Sequence, residues 1–469
     1  MLTYSFENSG SDSLYEYLYK CIKNDILSGS LQPDYKLPSK RTFAKNLGVS
    51  TITVENAYGQ LVAEGYIYAL PKKGFYVSDI SAIGNSRPLA PIPSPSQPLH
   101  TTEENYFADL TSNQTNAGNF PFFTWSRIMR DLITQQSKEL MMPSPSAGIA
   151  PLREAIAKHL YDFRGMQVSP EQIIVGAGTE YLYSLLIQLL GHDQTFAIED
   201  PGYGKIRMIY ESNKVNVVSI PLDDDGIHMK SLEQSQADIL HISPSHHYPT
   251  GIVTPISRRY EILGWALREN NRYIIEDDYD SEFRFSGRPI PSLQSIDVCD
   301  KVIYMNTFTK SLSPTIRISY MVLPKTLMKE FNSRLGFYSC TVSNFEQYTL
   351  ARFIDDGHFE KHINRMRIFY RKQRDMLINA ILKSPLSDYV HIQEKDAGLH
   401  FLMSVKTSAT DEQLIKKAHK CGLKIRCLSQ YYHNSSFAVM HTLVVNYSSM
   451  DEYQIDNAIE CLLEVFKDL

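Results

Sequence analysis

The sequence has few cysteines and no long apolar run. Its six cysteines are scattered over 469 residues without a CxxC pair, which excludes a disulfide-bonded scaffold and offers no cysteine-based metal site. No stretch of about 18 or more apolar residues occurs, so we expect no membrane-spanning helix. The first residues carry neither a basic nor an apolar leader, and we therefore expect a cytoplasmic protein with reduced thiols.

Positive charge is also in short supply. The chain has 47 Lys and Arg against 52 Asp and Glu, a net charge of −5. At the level of the whole chain, this balance argues against nucleic acid as a partner. The length allows about two to four domains, so the charge has to be considered domain by domain.

A proline-rich segment divides the chain. Five prolines fall between Pro88 and Pro98, among polar residues and with almost no aliphatic periodicity. Such a composition cannot bury a core and predicts a semi-extended spacer. The predicted organisation is a small domain at 1–77, a spacer at 78–105 and a large domain at 106–469.

The small N-terminal block has the pattern of three helices and a hairpin. Apolar residues recur at helical spacing over Ser13–Leu27, after Ser39 and after Ser50, and Gly48 lies in the turn between the second and third helix. Pro71–Gly74 then joins two short β-rich runs. Two helices around a glycine turn, followed by a hairpin, predict a winged helix-turn-helix.

The basic residues of this block are clustered, although residues 1–80 contain eight basic and eight acidic side chains and have no net charge. Four of the bases lie within 36–45 and two lie at the tip of the hairpin. The helix starts at Ser39 and Ser50 also offer backbone N–H groups to phosphate. This arrangement favours a DNA interface, while a helical interaction module with a solvated basic face remains the alternative.

Three segments resemble the DNA-binding domain of the GntR family of regulators, namely Leu37–Arg41, Leu47–Ser50 and Ala63–Tyr66. The resemblance implies that the first turn of the third helix enters the major groove and that the hairpin approaches DNA. Thr51 stands where family members usually carry arginine, so a short hydroxyl replaces a long reader of guanine. The DNA-binding residues that the resemblance and the basic clusters predict are Ser39, Lys40, Arg41, Lys45, Ser50, Thr51, Thr53, Lys72, Lys73 and Gly74.

The large block alternates apolar runs with helix-like stretches, which predicts an α/β sheet with sites at the C-terminal ends of its strands. Four constellations follow such runs: Gly176–Glu180, Asp200–Tyr203, Glu276–Tyr279 and Thr307–Arg317. Taken singly, each has an ordinary interpretation as a turn, a packed aromatic, an acidic strand end or a solvated lysine. A lysine beside a hydroxyl-rich, arginine-containing anion site nevertheless suits a Schiff base to a phosphorylated aldehyde.

In order and spacing, the four constellations together resemble the fold-type-I aminotransferase domain, whose cofactor is pyridoxal 5′-phosphate (PLP). The resemblance implies that Lys310 forms a Schiff base with PLP, that Asp277 pairs with the pyridine nitrogen and that Tyr279 hydrogen-bonds the ring oxygen. It also implies that Tyr203 stacks on the ring. The phosphate is expected against Ala177, Gly178, Thr179, Thr307, Thr309 and Arg317.

A GntR-type winged helix ahead of an aminotransferase-like domain resembles the MocR/GabR subfamily of transcription regulators. Ile274–Phe283 and Arg317–Pro324 carry this resemblance most closely. It implies an α/β protein with an N-terminal winged helix-turn-helix and a PLP-binding effector domain. The expected partners are a double-stranded DNA operator, PLP and a second copy of the chain in a head-to-tail homodimer.

Two classes of function are compatible with these motifs. One is a regulator that senses PLP or an amine through an aldimine at Lys310, and the other is a PLP-dependent aminotransferase with an accessory domain. Aminotransferases of this type usually hold the substrate carboxylate with an arginine at the position of Val444 and the ring oxygen with an asparagine at the position of Tyr248. Both substitutions favour the regulator, with a residual aminotransferase half-reaction still compatible.

The expected effector follows from two further positions. Members that respond to γ-aminobutyrate place arginines where this chain has Lys205 and Gln430. Lysine keeps a charge without the planar fork, and glutamine keeps neither. We therefore expect PLP itself, or a different amine or amino acid, as effector, with a role in vitamin B6 or amino-acid metabolism.

Overall fold

The computed structural model of the chain describes residues 2–6, 12–80, 106–112, 117–285, 291–393 and 398–467. It divides into two compact units, Met1–Glu103 and Glu104–Leu469. Most of the predicted spacer, from residue 81 onward, lies outside the described residues. No helix in the described part of the chain is long and apolar enough to cross a membrane.

Both units combine helices with strands. The helices are α1 (Leu14–Leu27), α2 (Lys40–Leu47), α3 (Thr51–Ala63), α4 (Phe122–Gln135), α5 (Ser137–Leu140), α6 (Ala150–Arg164), α7 (Thr179–Leu190), α8 (Gly204–Ser212), α9 (Met229–Gln234), α10 (Ile256–Leu267), α11 (Leu293–Ile296), α12 (Phe308–Ser311), α13 (Lys325–Arg334), α14 (Asn344–Asp355), α15 (His358–Lys383), α16 (Asp411–Lys420) and α17 (Ile455–Lys467). The strands are β1 (Ile67–Leu70), β2 (Gly74–Val77), β3 (Ala108–Asp109), β4 (Ile173–Gly176), β5 (Thr195–Asp200), β6 (Asn216–Asp223), β7 (Gly226–Ile227), β8 (Ile239–Ile242), β9 (Tyr273–Asp277), β10 (Val302–Thr307), β11 (Ser319–Val322), β12 (Val390–Gln393), β13 (His400–Val405), β14 (Leu423–Lys424) and β15 (Thr442–Asn446).

The small unit is a winged helix built on local capping. The Ser39 hydroxyl accepts a hydrogen bond from the Thr42 N–H at 3.2 Å, and Ser50 accepts one from Thr53 at 3.1 Å, so each serine satisfies an otherwise unpaired N–H at a helix start. Gly48 ends α2 in the left-handed conformation, with φ of 67°, which a side chain rarely adopts. These contacts place α2 and α3 around a tight turn.

Two predicted boundaries of the small unit, at Ser13 and at Gly74, shift by one residue. The first helix begins at Leu14 because Ser13 is its N-cap, and α3 ends at Ala63, with Glu64 as its C-cap. The antiparallel hairpin pairs β1 with β2 from Ile67–Val77 to Leu70–Gly74. Gly74, which the sequence pattern assigns to the turn, is therefore the first residue of a strand.

The large unit is built on a mixed eight-stranded sheet with the order β4-β11-β10-β9-β8-β5-β6-β7. The central pairs β6/β5, β5/β8, β8/β9 and β9/β10 are parallel, whereas β11 is antiparallel to both of its neighbours. The strands β4, β8, β10 and β11 are buried along their whole length. Loops that follow β5, β8, β9 and β10 therefore leave the same edge of the sheet, as the α/β pattern predicted.

A second, three-stranded antiparallel sheet, β12-β13-β15, lies in the C-terminal part of the large unit. It packs with α15, α16 and α17 into its own apolar core. A small cluster on this sheet consists of Leu402, Leu428 and Val444, with Tyr248 and Tyr431 packed against it. This cluster brings the C-terminal part of the unit to the edge of the site described next.

Candidate cofactor site and nucleic-acid interface

Asp277 ends β9 as a buried carboxylate with one oxygen left for a ligand. Its Oδ2 accepts a hydrogen bond from the Tyr183 hydroxyl at 2.5 Å and lies 3.6 Å from Nε2 of His241. His241 is positioned in turn by Tyr210, whose hydroxyl is 2.7 Å from His241 Nδ1. The other oxygen, Oδ1, is buried without a hydrogen-bond partner among the described residues. A protonated ring nitrogen would satisfy this oxygen.

The acids on either side of Asp277 have structural roles. Glu276 accepts hydrogen bonds from two backbone N–H groups of the next segment, those of Leu293 at 2.7 Å and Gln294 at 2.9 Å. Asp278 forms a buried ion pair with Arg164, which holds the pKa of its carboxyl below the usual value despite burial. The run of three acids therefore supplies one oxygen to the candidate site and two structural anchors.

Lys310 lies in α12, immediately after buried β10. The Thr307 hydroxyl caps this short helix by accepting a hydrogen bond from the Thr309 N–H at 3.1 Å. Burial lowers the pKa of Lys310 to about 8, while the nearby carboxylate of Asp280 acts in the opposite direction. A lysine with a lowered pKa has more of the neutral, nucleophilic amine at neutral pH.

The predicted phosphate residues come from three separate segments that meet in the structure. Gly178 has φ of +92°, and a Cβ built on it would lie 2.6 Å from Nη2 of Arg317. Thr307 Oγ1 donates to Thr309 Oγ1 at 2.9 Å, and Thr309 Oγ1 donates to the carbonyl of Ile316 at 3.3 Å. The start of α7, with Thr179 as its first residue, thus lies beside the guanidinium of Arg317, and the Thr309 hydroxyl is bonded to the carbonyl of the residue before that arginine. This is the chemistry of an anion site.

Four tyrosines line the edge of the site, and we call them the tyrosine wall: Tyr203, Tyr248, Tyr279 and Tyr431. The ring of Tyr248 lies 6.0 Å from that of Tyr203, 6.4 Å from that of Tyr279 and 5.4 Å from that of Tyr431, centroid to centroid. The hydroxyls of Tyr248 and Tyr431 are 2.7 Å apart. Tyr203 is 51% exposed, so one face of its ring is available to a ligand.

Tyr279 reaches this wall by a route that the sequence pattern did not predict. Strand periodicity places it beside Asp277 only if β9 continues to residue 279, but the strand ends at Asp277. The following turn carries Tyr279, whose Oη lies 3.3 Å from Nδ1 of His246. The placement of Tyr279 thus depends on a turn rather than on the alternation of a strand.

Asp200 holds the turn that presents Tyr203. Its buried carboxylate accepts backbone hydrogen bonds from His433 at 2.8 Å and from Asn434 at 3.1 Å. The Gly202 N–H also donates to the carbonyl of Tyr431 at 3.1 Å. These bonds fasten the loop after β5 to the C-terminal part of the large unit.

The two residues predicted to contact the effector have protein partners. Lys205 forms an ion pair with Glu180, which also lies 3.5 Å from Arg317. The side-chain oxygen of Gln430 accepts a hydrogen bond from the Cys427 N–H at 3.3 Å. The sequence pattern indicated neither contact, because Glu180 lies 25 residues before Lys205 and the donor to Gln430 is a backbone N–H rather than a side chain.

Sequence reasoning also missed a histidine pair beside the predicted site. His246 Nδ1 donates to Asp280 Oδ2 at 2.8 Å, and the His400 ring lies 5.1 Å from that of Tyr248. Burial lowers the pKa of His400, and the charges of His246, His247 and Lys310 add to this effect. The consecutive histidines before Tyr248 were the available signal for this cluster.

Seven of the ten predicted DNA-binding residues of the small unit are exposed, and the other three, Lys40, Thr53 and Gly74, are half-buried. Arg41, Lys45 and the two lysines of the hairpin turn are exposed, as is Thr51 at the start of α3. Lys40 is instead paired with Glu55, with 2.6 Å between Nζ and Oε1. The positive surface is therefore partly neutralised where α2 and α3 meet.

Comparisons with known proteins agree with both halves of this description. Residues 109–462 match the family described as aminotransferase class I and II, and residues 14–77 match the bacterial regulatory proteins of the gntR family. The chain is 39% identical over 455 residues to the uncharacterized HTH-type transcriptional regulator YdeL of Bacillus subtilis, covering 97% of each chain. It is 31% identical over 470 residues to the probable rhizopine catabolism regulatory protein MocR of Rhizobium meliloti, covering 97% of this chain and 94% of MocR.

A solved structure gives the fold of the large unit. Kynurenine aminotransferase of Pyrococcus horikoshii, crystallised in complex with PMP, superposes with a TM-score of 0.67 at 24% identity. The superposition covers 78% of this chain and 91% of the aminotransferase. The large unit therefore has the fold of the PLP-dependent aminotransferases.

Proposed function

Because this chain belongs to the MocR-type transcription regulators, in which a GntR winged helix precedes an aminotransferase class I and II domain, we propose that PLP bound in the large unit controls how the small unit engages its operator. The effector is PLP itself, or an amine or amino acid that reacts at the PLP-bearing site. Two copies of the chain act as a cytoplasmic head-to-tail homodimer, which would present two winged helices to two half-sites.

The observation that carries this proposal is that three features fit the three ends of one cofactor. The unpartnered Oδ1 of Asp277 suits the ring nitrogen. Lys310, with its lowered pKa, suits the aldehyde carbon. Gly178, whose missing side chain leaves room for Arg317, suits the phosphate. Each of these groups could have another role when taken alone. Their combination, a carboxylate, an amine and an anion site, favours PLP as the ligand.

When bound, PLP supplies an aldehyde that a primary amine can attack and a ring that withdraws electrons. The residues of the chain prepare both ends of that chemistry. Burial keeps part of Lys310 neutral at pH 7, and the hydroxyl of Tyr183 fixes the orientation of the Asp277 side chain by donating to its Oδ2. The exposed face of Tyr203 leaves an approach for a ligand.

The aminotransferase alternative is weakened by the surroundings of Val444. Aminotransferases of this fold usually place an arginine there to fix the substrate carboxylate, but Val444 is buried with Leu402 and Leu428. A regulator needs only to bind and respond, whereas efficient transamination also needs a fixed substrate. The apolar cluster thus favours sensing over turnover.

The proposal is tested with the full-length chain and two lysine variants. PLP titration should produce the absorbance band of a lysine-linked cofactor in the native protein, and Lys310→Ala should abolish that band. Lys301→Ala is the matched control, because Lys301 Nζ donates to the backbone carbonyls of Glu269 and Asn270 away from the candidate site. In a gel-shift experiment, the native protein and both variants should bind DNA from the region upstream of the gene that encodes this protein, and the binding should weaken as salt is added.

Three outcomes would contradict this function. A band that survives Lys310→Ala would remove Lys310 from its role, and no band in the native protein would remove PLP. A folded Lys310→Ala variant that no longer binds DNA would show that the cofactor and operator sites are not separate.

A further inference from the structure

The tyrosine wall ends at an arginine that has no role in the site described so far. The guanidinium carbon of Arg426 lies 5.5 Å from the centroid of the Tyr431 ring, within the range of a cation–π contact. Burial raises the pKa of Tyr431, and both the Tyr248 hydroxyl and the charge of Arg426 act in the opposite direction. Arg426 is therefore close to the hydroxyl pair of Tyr248 and Tyr431.

Arg426 is also available to a ligand. The residue is exposed, and within the described part of the chain no carboxylate lies at salt-bridge distance from its guanidinium. Lys424, two residues earlier on the same segment, differs in this respect, because its Nζ lies 3.4 Å from Asp109. Of the two neighbouring cations, only Arg426 is oriented toward the tyrosine wall and lacks an acidic partner among the described residues.

The backbone places Arg426 directly beside the position where an arginine is missing. The Val444 N–H donates to the carbonyl of Arg426 at 3.0 Å, and Val444 itself packs against Tyr248 and Tyr431. An anionic group that entered the site could not pair with Val444. It would meet the guanidinium of Arg426 and the hydroxyls of Tyr248 and Tyr431 at the neighbouring position.

The tyrosine wall connects Arg426 to the amine of Lys310. The ring of Tyr248 contacts that of Tyr431 and also those of Tyr279 and His400. The His400 ring lies 5.0 Å from that of His246, and His246 Nδ1 is 2.8 Å from Oδ2 of Asp280, the carboxylate whose charge acts on Lys310. A small molecule along this wall could therefore have an amine at the Lys310 end and an anion at the Arg426 end.

We propose that Arg426, together with the hydroxyls of Tyr248 and Tyr431, binds the carboxylate of the effector, which is consequently an amino acid rather than a simple amine or PLP alone. This inference rests on the proposed function, since it assumes that PLP occupies the site. Guanidinium groups bind carboxylates through two parallel N–H donors, and the hydroxyls can donate to the remaining lone pairs. Lys205 and Gln430 do not compete for this role, because Glu180 and Cys427 already engage them.

The test uses the PLP-loaded full-length protein and pairs of probes that differ only in a carboxylate. The pairs are glycine with methylamine, β-alanine with ethylamine, L-alanine with ethylamine and 4-aminobutanoate with propylamine. The concentration that half-perturbs the absorbance band of the lysine-linked cofactor is measured for each probe. In the native protein, at least one amino acid should act at a concentration tenfold or more below that of its alkylamine.

Three variants assign the preference to Arg426. Arg426→Gln should reduce the preference for the carboxylate at least tenfold, and Arg426→Lys should retain part of it, since a charge without the fork remains. Lys424→Gln, the matched control, removes the same charge from the same segment and should leave the preference unchanged. PLP affinity should be the same in all four proteins.

The possible failures are distinguishable. Equal responses to both members of every pair, no response to any probe, or a preference that survives Arg426→Gln would each overturn the role of Arg426 while leaving the PLP site intact. Absence of the cofactor band before any probe is added would instead contradict the proposed function itself.

Discussion

The two units of this chain build their candidate sites in opposite ways. In the small unit, the contacts that form the DNA-facing helices are local: Ser39 caps α2 and Ser50 caps α3 through hydrogen bonds that span three residues. In the large unit, the bond from Tyr183 to Asp277 spans 94 residues, and the bond from His433 to Asp200 spans 233. A site made from neighbours can be recognised in a segment, whereas a site made from distant residues requires the whole fold.

The ionisable groups of the two units differ in the same way. Four of the five bases expected to meet DNA, Arg41, Lys45, Lys72 and Lys73, are exposed on the small unit, where solvent and salt screen them. In the large unit, Asp277 is buried and Lys310 is half-buried, and desolvation lowers the pKa of the Lys310 amine. The net charge of −5 averages these two situations and describes neither. Substitutions and pH should therefore affect the two units by different mechanisms.

The largest expected contrast is the pH dependence of cofactor attachment. Burial disfavours the charged amine and lowers the pKa of Lys310 to about 8, so the reactive neutral form accumulates as the pH rises through 8. At pH 7, this pKa gives about two to three orders of magnitude more neutral amine than an ordinary lysine with a pKa of about 10.4. The rate of attachment of PLP, followed by absorbance, should rise to about pH 8 to 9 and then level off.

Free Nα-acetyl-lysine provides the control for this profile, because its rate of reaction with PLP should continue to rise toward about pH 10. A profile for the protein that follows the free amine would mean that Lys310 is not buried as the structure has it. Measured without PLP, DNA binding by the small unit should show no transition with the same midpoint.

The sequence predicted the architecture well and the edges of the cofactor site poorly. The winged helix and the α/β aminotransferase-like domain are confirmed, since both depend on apolar periodicity and on segments such as Leu37–Arg41 that are contiguous. The assignments of individual site residues stay predictions. Tyr279 could not be placed by strand alternation because a turn carries it. Lys205 pairs with Glu180, which lies 25 residues away in the sequence, and Gln430 accepts its hydrogen bond from the backbone N–H of Cys427. A pattern of side chains along the sequence reveals neither contact.

A second prediction concerns the anion cradle of the large unit. In Gly178→Ala, the new Cβ would lie 2.6 Å from Nη2 of Arg317 at a φ of +92°, so the guanidinium must move and the backbone is strained. We expect the affinity for PLP to fall about tenfold, equivalent to about 1.4 kcal/mol, as measured by titration of the absorbance band. The affinity for DNA measured without PLP should remain within about twofold, because the operator is bound by the other unit.

Gly264→Ala is the matched control for this change. Gly264 lies within α10, has no positive φ and has nothing within 4 Å of an added Cβ. This variant should bind PLP as the native protein does. If Gly178→Ala also bound PLP with native affinity, the turn at the start of α7 would not hold the phosphate.

The smallest expected effect is on the affinity of the small unit for operator DNA. Glu55 lies one helical turn after Thr51 on α3, and its carboxylate pairs with Lys40 at 2.6 Å, so it places a negative charge beside the surface expected to meet phosphates. Glu55→Gln removes this charge and releases Lys40. Exposed ion pairs contribute at most about 1 kcal/mol, so the affinity for operator DNA should rise about threefold at low salt and the increase should shrink as salt is added.

Glu64→Gln removes the same charge at the other end of α3, where the carboxylate pairs with Lys23, and should leave the affinity unchanged. A loss of affinity in Glu55→Gln would mean that Glu55 contacts a base or positions Lys40 for a phosphate. DNA binding at the start of α3 would then require the Lys40–Glu55 ion pair, whereas we expect this pair to weaken DNA binding.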